Sequence, residues 1–283
     1  MTNKEYRQHS GVSRSDLMKF KKSPLHYKYA IEHPEEEQSP ALIFGSASHK
    51  YILEREDFES EFAVAPNVDK RTKEGKAIWN EFVDSCGDKM VISVDDFEKI
   101  QEMAAAVDAH PIASRLIQGE HEVSLFWTDA DTGEECKVRP DIIHDEDGVK
   151  MIVDYKTTTS CEDGAFEKSC RKYGYKLQAG MYREGFFQNF FEDAKFVFIA
   201  QEKEAPYAVR VYACTDEYMN EGFDEYRALL GLYHECKELN KYSGYEEIEY
   251  LYGEECLPVT VLPKGVSPSK RKTTASRPPQ TTA

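Results

Sequence analysis

The stretch from residue 122 to residue 158 most constrains the fold, because apolar and polar residues alternate along it with the period of two of a β-strand. Turn-forming clusters at 129–135 (DADTGEE) and 145–148 (DEDG) divide it into the segments EVSLFWT, CKVRPDIIH and VKMIVDYKTT. The pattern therefore predicts an antiparallel meander of three strands, with a hairpin at DEDG.

Charged residues are concentrated on one face of that hairpin. A symmetric four-residue connection would place Asp154 opposite Arg139. One face then carries Arg139, Asp141, Asp154 and Lys156, and the other carries Ile142, Met151 and Val153. Two carboxylates that converge in this way can bind a hard divalent cation. The alternative is a solvent-exposed strand face, which is less favoured because both strands are otherwise apolar and unpaired buried charge is costly.

Helical patterns flank the meander. They are predicted at 14–30 with an interruption near Pro24, at 41–54, late in 66–82, at 94–118, at 172–191 and at about 216–239, with strands at 196–200 and 207–213. We expect one domain over residues 1–262, with a helical part at 1–120 and the meander and core at 121–240. The Pro/Ser/Thr/Lys-rich residues 263–283 are typical of a disordered tail.

Charge is unevenly distributed along the chain. The net charge of −16 would ordinarily argue against a nucleic-acid partner. The tail from residue 264 carries five Lys/Arg and no acid, so the remaining chain carries 31 − 52 = −21. Local basic patches could still bind phosphates, and the candidates are Arg14, Lys19, Lys21, Lys22, Lys70, Arg71, Lys73, Lys76, Lys168, Arg171, Lys172 and Lys176. Ordinary solvated side chains are the alternative at each position.

Several classes of protein lack support in this sequence. No apolar run reaches the roughly 20 residues of a membrane span, and the N-terminus lacks the apolar core of a signal peptide, so we expect a soluble cytoplasmic protein. The seven cysteines form no CxxC pair, which favours reduced thiols over a zinc ribbon or disulfide framework. No GxxxxGK[ST], GxSxG or HExxH motif is present.

Four short motifs carry a resemblance to a known family. Pro140-Asp141 followed by Asp154-Tyr155-Lys156 resembles the PD-(D/E)XK nuclease signature, while GSASH at 45–49 and QAGMY at 178–182 resemble the GxxxH and QxxxY motifs of its RecB-like branch. The segments GVSRSDLMKFKKSPLHY, FGSASHKYILE and YGYKLQAGMYREGF extend this to the C-terminal nuclease domain of the exonuclease VIII (RecE) family, over about residues 11–213. The resemblance implies an α/β (α+β) fold with a restriction-endonuclease-like core, in which helices flank a mixed central sheet.

The resemblance also implies site residues. Asp141 and Asp154 would bind Mg²⁺ together with the backbone carbonyl of Tyr155 and with His49, and Glu122 is a further acid near the metal. A nitrogen ligand suits Mn²⁺, so Mn²⁺ should substitute. Lys156 would act on the attacking water and the transition state, Gln178 and Tyr182 would face the scissile phosphate or a terminal base, and Arg139 would hold a phosphate.

Each assignment has a structural alternative. His49 could be a core histidine, Glu122 solvent-exposed and Tyr182 a packing residue. Lys156 could form only a salt bridge, and Arg139 could form an ion pair with Asp141 or Asp154.

The implied activity is that of a metal-dependent exonuclease that degrades double-stranded DNA from the 5′ end and leaves 3′ overhangs. The family resemblance further implies a toroidal tetramer, a RecT-like single-strand annealing partner and a phage or prophage origin. No iron–sulfur cluster is expected, because the cysteines do not reproduce the four-cysteine site of some relatives. The alternatives are another RecB-like nuclease with single-strand or endonuclease preference, or a non-catalytic DNA-binding or DNA-mimic protein suggested by the charge of −16.

Overall fold

A computed structural model describes residue 1 and residues 3–34 and 39–245; the tail at 263–283 lies outside these residues. The helices are α1 Asn3–Gln8, α2 Arg14–Lys22, α3 Pro24–Glu32, α4 Pro40–Leu53, α5 Phe58–Glu61, α6 Lys73–Cys86, α7 Val94–Ala109, α8 Ala113–Leu116, α9 Ala165–Tyr173, α10 Tyr175–Phe190 and α11 Asp216–Leu239. The strands are β1 Val12–Ser13, β2 Phe62–Val64, β3 Met90–Ile92, β4 Glu120–His121, β5 Leu125–Thr128, β6 Glu135–Val138, β7 Ile142–Glu146, β8 Val149–Thr158, β9 Lys195–Glu202 and β10 Val209–Ala213.

A mixed central sheet of five strands, in the order β10-β9-β8-β7-β4, organises the molecule. Strands β8 and β9 are parallel and the other neighbours are antiparallel. Alternate residues of β8 and β9 face two hydrophobic clusters: Ile152 and Phe198 pack with α10 and α11, while Val153 and Ile199 pack with α4, α7 and α8. Helices therefore cover both faces of a mixed sheet, and the predicted fold class is confirmed.

The predicted three-strand meander is wrong in its connectivity. Strand β6 lies between β1 and β5 in a separate three-stranded sheet, whereas β4, β7 and β8 belong to the central sheet. The chain passes between the sheets twice, at Glu122 and at 139–141, and the two crossings are joined by a backbone hydrogen bond of 2.9 Å from Glu122 N–H to the Asp141 carbonyl. Pro140 lacks the N–H that a continuous strand would need there.

The predicted hairpin register is also wrong. The turn has two residues, Asp147 and Gly148, both with positive φ, so Val149 lies opposite Glu146 and Val153 opposite Ile142. Continued along the strand, this pairing brings Asp154 level with Asp141 and not with Arg139. The error is two residues, one full pleat period, so the predicted assignment of side chains to faces survives it.

Most predicted helices form, with local breaks. The interruption near Pro24 is confirmed: α2 begins with a capping box between Ser13 and Asp16 and ends at Ser23, which also caps α3. The helix predicted at 94–118 stops at Ala109 and is followed by the short α8. The helix predicted at 172–191 is divided at Gly174, whose φ of +65° ends α9 before α10 starts.

Helices α10 and α11 cross at a pair of glycines. A Cβ on Gly222 would lie 1.9 Å from the carbonyl oxygen of Lys176, and one on Gly180 would lie 2.1 Å from the backbone nitrogen of Phe223. The two backbones are therefore in direct contact, which presses α10 against the central sheet at the level of the site. Among the described helices, none combines the length and apolar character needed to cross a membrane.

Candidate active site

Three ligating side chains meet where the chain crosses between the sheets. His49, from α4, places Nε2 3.0 Å from Asp141 Oδ2 and Nδ1 3.5 Å from Glu122 Oε1. One nitrogen or oxygen from each of the three lies within 4.8 Å of the others, close enough for the three to hold one metal ion. Glu122 adopts the left-handed region with φ of +53°, an uncommon conformation that aims its side chain at the cluster.

Beside this cluster lies a buried ion pair on β8. The side chain of Asp154 is 1% exposed, and Lys156 Nζ lies 2.5 Å from its Oδ2. The other oxygen, Oδ1, accepts a hydrogen bond from Gln178 Nε2 on α10. This burial rules out a solvent-exposed strand face at Asp154, as the apolar setting of the two strands predicted.

The protonation of the site follows from its crowded carboxylates. Burial and the neighbouring Asp141 raise the pKa of Asp154 to about 6, against the opposing effect of Lys156. Burial disfavours the imidazolium of His49, but Asp141 and Glu122 outweigh it and raise the pKa of His49 to about 9. Burial likewise opposes ionisation of Asp141, yet His49 and Lys156 hold the pKa of that carboxyl below its usual range. Three acids are thus balanced by a protonated histidine, a lysine and Arg139.

The residues present fit a hard divalent cation. Three carboxylates and one imidazole form a donor set that suits Mg²⁺ or Mn²⁺. Asp154 Oδ2 is buried and lies against the Lys156 ammonium, so this carboxylate already has a charged partner. A divalent ion at the cluster would share the Asp154 carboxylate with that ammonium. His49, Glu122 and Asp141 would hold the ion, with Asp154 next to it; a role for the Tyr155 carbonyl stays a prediction.

The backbone of β8 supports Asp141 directly. Tyr155 N–H donates to Asp141 Oδ2 over 2.9 Å, which fixes this carboxylate where β7 begins. On the opposite face of the strand, the Tyr155 hydroxyl donates to Gln201 Oε1 at 2.5 Å. Tyr155 is therefore fixed through both its backbone and its side chain. Because it follows Asp154 and binds Asp141, it fixes the position of one carboxylate relative to the other.

The two QxxxY residues have different surroundings, and their predicted contact with a substrate stays a prediction. Gln178 is 3% exposed and its amide is committed to Asp154, so it positions a carboxylate. Tyr182 is half-buried, with its ring 6.2 Å from that of Phe196 in an edge-on contact. Burial raises the pKa of Tyr182 well above its ordinary value, with Asp154 and Asp141 adding to the effect. The tyrosine thus combines packing with a place next to the carboxylates.

Arg139 is already paired in this structure. Its Nε lies 2.5 Å from Glu122 Oε2, and a guanidinium nitrogen also donates to Ser124. The ion-pair alternative therefore describes its contacts, although the partner is Glu122 and not Asp141 or Asp154. Because Arg139 holds Oε2 of Glu122, the other oxygen, Oε1, faces His49.

The predicted basic patches lie at different places. Lys70 packs on Trp79 with Nζ 2.9 Å from the ring centroid, Arg71 pairs with Asp69, and Lys73 opens α6. Lys172 lies in the last turn of α9, close to the start of α10. Their role in DNA binding stays a prediction.

Sequence reasoning missed Tyr175, which is the first residue of α10. Lys156 Nζ lies 5.3 Å from the centroid of its ring, a cation–π contact that holds the ammonium beside Asp154. Nothing in the local sequence separates Tyr175 from the other aromatic residues nearby, because the contact depends on how α10 packs on β8.

A cleft of about 760 Å³ gives access to the cluster. Its walls come from α1, α4 and the two chain crossings, and include Arg7, Ser46, His49, Lys50, Glu122 and Arg139. The wall carries acids as well as cations, because Lys50 pairs there with Glu54 and Glu61, and Arg139 pairs with Glu122.

One solved structure has a similar fold. A solved structure from Eubacterium rectale, described as a "putative exonuclease", superposes with a TM-score of 0.60 at 17% identity and covers 94% of this chain and 99% of that chain. Another, described as SSO0001, has a TM-score of only 0.30 at 13% identity, covering 76% of this chain and 84% of the other. No curated protein matches the sequence significantly.

A family model supplies the assignment. The model described as a PDDEXK-like domain of unknown function (DUF3799) matches residues 13–254, which include the whole site. This confirms the resemblance to PD-(D/E)XK proteins drawn from Asp141, Asp154 and Lys156. The chain belongs to the PDDEXK-like domain family DUF3799.

Proposed function

We propose that this protein is a metal-dependent exodeoxyribonuclease that degrades linear double-stranded DNA in the 5′-to-3′ direction and leaves 3′ single-strand overhangs. The observation that carries the proposal is the buried Asp154–Lys156 pair beside the three-residue cluster of His49, Glu122 and Asp141. A cation site next to a fixed ammonium suits phosphodiester hydrolysis, in which negative charge develops on the phosphoryl oxygens.

The chemistry divides between the ion and the chain. A bound Mg²⁺ or Mn²⁺ would polarise the phosphoryl oxygen and lower the pKa of a water molecule. Burial opposes the charge of Lys156, but Asp154 and Asp141 outweigh it and raise the pKa of this ammonium above its ordinary value. Lys156 therefore acts as a fixed positive charge on the transition state and as an orienting donor, and not as a base. Gln178 keeps Asp154 in place.

The finer features of the proposal rest on the family resemblance. These are the strand polarity, the duplex substrate, a toroidal tetramer, a RecT-like annealing partner and a role in phage-type recombination in the bacterial cytoplasm. The acidic shell of the chain would favour a ring that repels DNA outside and binds it along basic inner walls.

An assay with end-labelled linear duplex tests the activity. With Mg²⁺ or Mn²⁺, the protein should release 5′-labelled nucleotides before 3′ label is lost, leave covalently closed circles intact and stop when EDTA is added. Lys156→Ala should lower the rate by at least about a hundredfold while DNA binding persists. Cleavage of closed circles would support an endonuclease instead. Binding without any cutting under all metal conditions would support the non-catalytic alternative.

A further inference from the structure

An aromatic path leads from Lys156 to the protein surface. Tyr175 is largely buried beneath Lys156, and the ring of Tyr173 stacks on it with centroids 5.9 Å apart and planes inclined by 28°. Tyr173 itself is 48% exposed. We call the residues Arg14, Lys172, Tyr173 and Tyr175 the aromatic track. It begins at the ammonium of the site and ends on a ring that is open to solvent.

Two cations accompany these rings. The guanidinium carbon of Arg14 lies 6.0 Å from the Tyr175 ring centroid, and Lys172 Nζ lies 5.0 Å from that of Tyr173. Neither cation lies within 4.0 Å of a carboxylate of the described residues, whereas Arg183, Arg210 and Arg227 each do. In a chain with a net charge of −16, uncompensated cations at one place favour an anionic ligand there.

Arg14 is incompletely satisfied as well as unpaired. One terminal nitrogen donates to the Tyr173 carbonyl, but Nε is buried and has no hydrogen-bond partner among the described residues. The contact with the Tyr173 carbonyl lies at the surface, so a phosphate oxygen can approach the terminal nitrogens of Arg14, whereas Nε is closed to solvent. The guanidinium is thus held in place on one side and open on the other.

The turn between α9 and α10 builds the track. Gly174 takes a φ of +65°, and a Cβ there would lie 2.3 Å from the sulfur of Met18 on α2. The turn is therefore packed tightly on α2, the helix that begins at Arg14. Tyr173 and Tyr175 are brought into contact with each other and with Arg14 by this single packing arrangement.

We propose that the aromatic track binds one unpaired nucleic-acid strand next to the scissile phosphate, with a base stacked on Tyr173 and a phosphate on Arg14. The proposal rests on the nuclease function and specifies the path of one strand. A single strand is favoured over the interior of a duplex because the exposed ring of Tyr173 needs a free base face, which a duplex presents only at its terminal base pair. Lys172 adds a second phosphate contact at the outer end.

Binding can be measured without catalysis. The full-length protein in EDTA is titrated into a fluorescein-labelled 12-nucleotide oligo(dT) and, separately, into a blunt hairpin duplex, with affinity read from anisotropy. Tyr173→Ala and Arg14→Ala should each weaken oligo(dT) binding about tenfold, and Tyr173→Phe should retain it. Arg14→Gln keeps most of the side chain for packing and should lose affinity in the same way as Arg14→Ala.

Matched controls come from other parts of the molecule. Tyr29→Ala removes a ring that is 63% exposed on α3, and Arg55→Ala removes a guanidinium that lies 5.0 Å from the Tyr51 ring centroid. Both controls should bind oligo(dT) like wild type. Track variants that bind it within twofold of wild type would overturn the proposal, and an equal loss on the hairpin duplex would overturn the single-strand assignment. The assay contains no metal and measures binding alone. Its result is therefore independent of whether the protein cuts DNA.

Discussion

Asp154 is a carboxylate held where its charge is unfavourable. It is almost fully buried, it lies near Asp141, and the balance of these effects raises its pKa to about 6 in spite of Lys156. Such a group lowers the stability of the metal-free protein at neutral pH, because the unfolded chain ionises it more readily. Its presence is understandable if a divalent cation compensates the charge during function.

Asp154→Asn should therefore separate stability from activity. Asparagine keeps an oxygen that can accept from Gln178 and removes the buried charge, while Lys156 keeps Asp141 as a neighbouring carboxylate. We expect loss of nuclease activity together with a rise of about 2–4 °C in the melting temperature measured in EDTA, the shift that roughly 1 kcal/mol produces in a chain of this size. Differential scanning calorimetry with and without Mn²⁺ measures the melting temperatures of wild type and variant in the metal-free and metal-loaded states. An unchanged or lower melting temperature in EDTA would mean that Lys156 already compensates the carboxylate.

At the scale of elements, the site depends on how closely α10 approaches α11. Gln178 reaches Asp154 from α10, and the contact between Gly180 and Gly222 sets the position of that helix. The position of Gln178 therefore depends on α11, although α11 contributes no side chain to the cluster of His49, Glu122 and Asp141.

Gly222→Ala should disturb the site from outside it. The new methyl group would overlap the Lys176 carbonyl, so we expect a loss of about 1–3 kcal/mol in the free energy of unfolding and a weaker nuclease. Gly231→Ala is the matched control on α11, because a Cβ there meets no atom within 4 Å. It should be neutral or slightly stabilising, since alanine favours a helix over glycine. Chemical denaturation of the two variants tests the comparison, and equal stabilities would contradict the close crossing.

A second contact ties α11 to the turn between β5 and β6. Asp129 is buried and pairs with Arg227, while Glu134 accepts from Lys237 and lies 3.0 Å from His234 Nδ1. Burial opposes ionisation of Asp129, but hydrogen bonds from Arg227 and Thr132 outweigh it and hold the pKa of the carboxyl below its usual value. The ionised form therefore stabilises the folded state at neutral pH.

Asp129→Asn should show a pH-dependent cost. We expect about 1–2 kcal/mol of lost stability at pH 7, because Arg227 is left without its buried partner while remaining partly solvated. A depressed carboxyl pKa contributes stability above the unfolded value near 4 and loses it as the pH falls further. The difference between wild type and variant should thus be constant from pH 7 to about 5 and shrink progressively below about pH 4, as the pH falls through the lowered pKa of the folded state. Urea denaturation across this range gives the measurement, and a difference that stays constant below about pH 4 would exclude the ion pair as its source.

For the whole molecule, charge segregation should govern encounters with DNA. The chain up to residue 263 carries −21, and the five Lys/Arg of the last twenty residues oppose it. Truncation after residue 262 should weaken binding to a long duplex about fivefold at low salt, with the difference shrinking as salt rises, because phosphate neutralisation is screened. Anisotropy titrations at several salt concentrations test this, with a variant whose tail lysines and arginines are replaced by glutamine as control. Salt-independent loss in both proteins would point to a different role for the tail.

The sequence by itself determined the alternation of the strands and the identity of most site residues. Because side chains alternate along a strand, Asp154 and Lys156 lie on the face opposite Val153 in any register. The predicted faces therefore survived an error of two residues at the hairpin. Helix breaks and turns are equally local, and the interruption near Pro24 and the span of α11 followed from them.

Only the tertiary structure decided how these residues meet. Glu122 lies beside Asp141 because the chain crosses between two sheets at both residues. The second sheet forms through long-range pairing of β6 with β1, which local sequence does not specify. The partners of Gln178, Arg139 and Tyr175 likewise depend on the approach of α10 and the two crossings. Such contacts join positions 17 to 24 residues apart or more, where loop closure and packing outweigh local preference. Sequence periodicity therefore specifies which way a side chain points along its strand, and packing specifies what it touches.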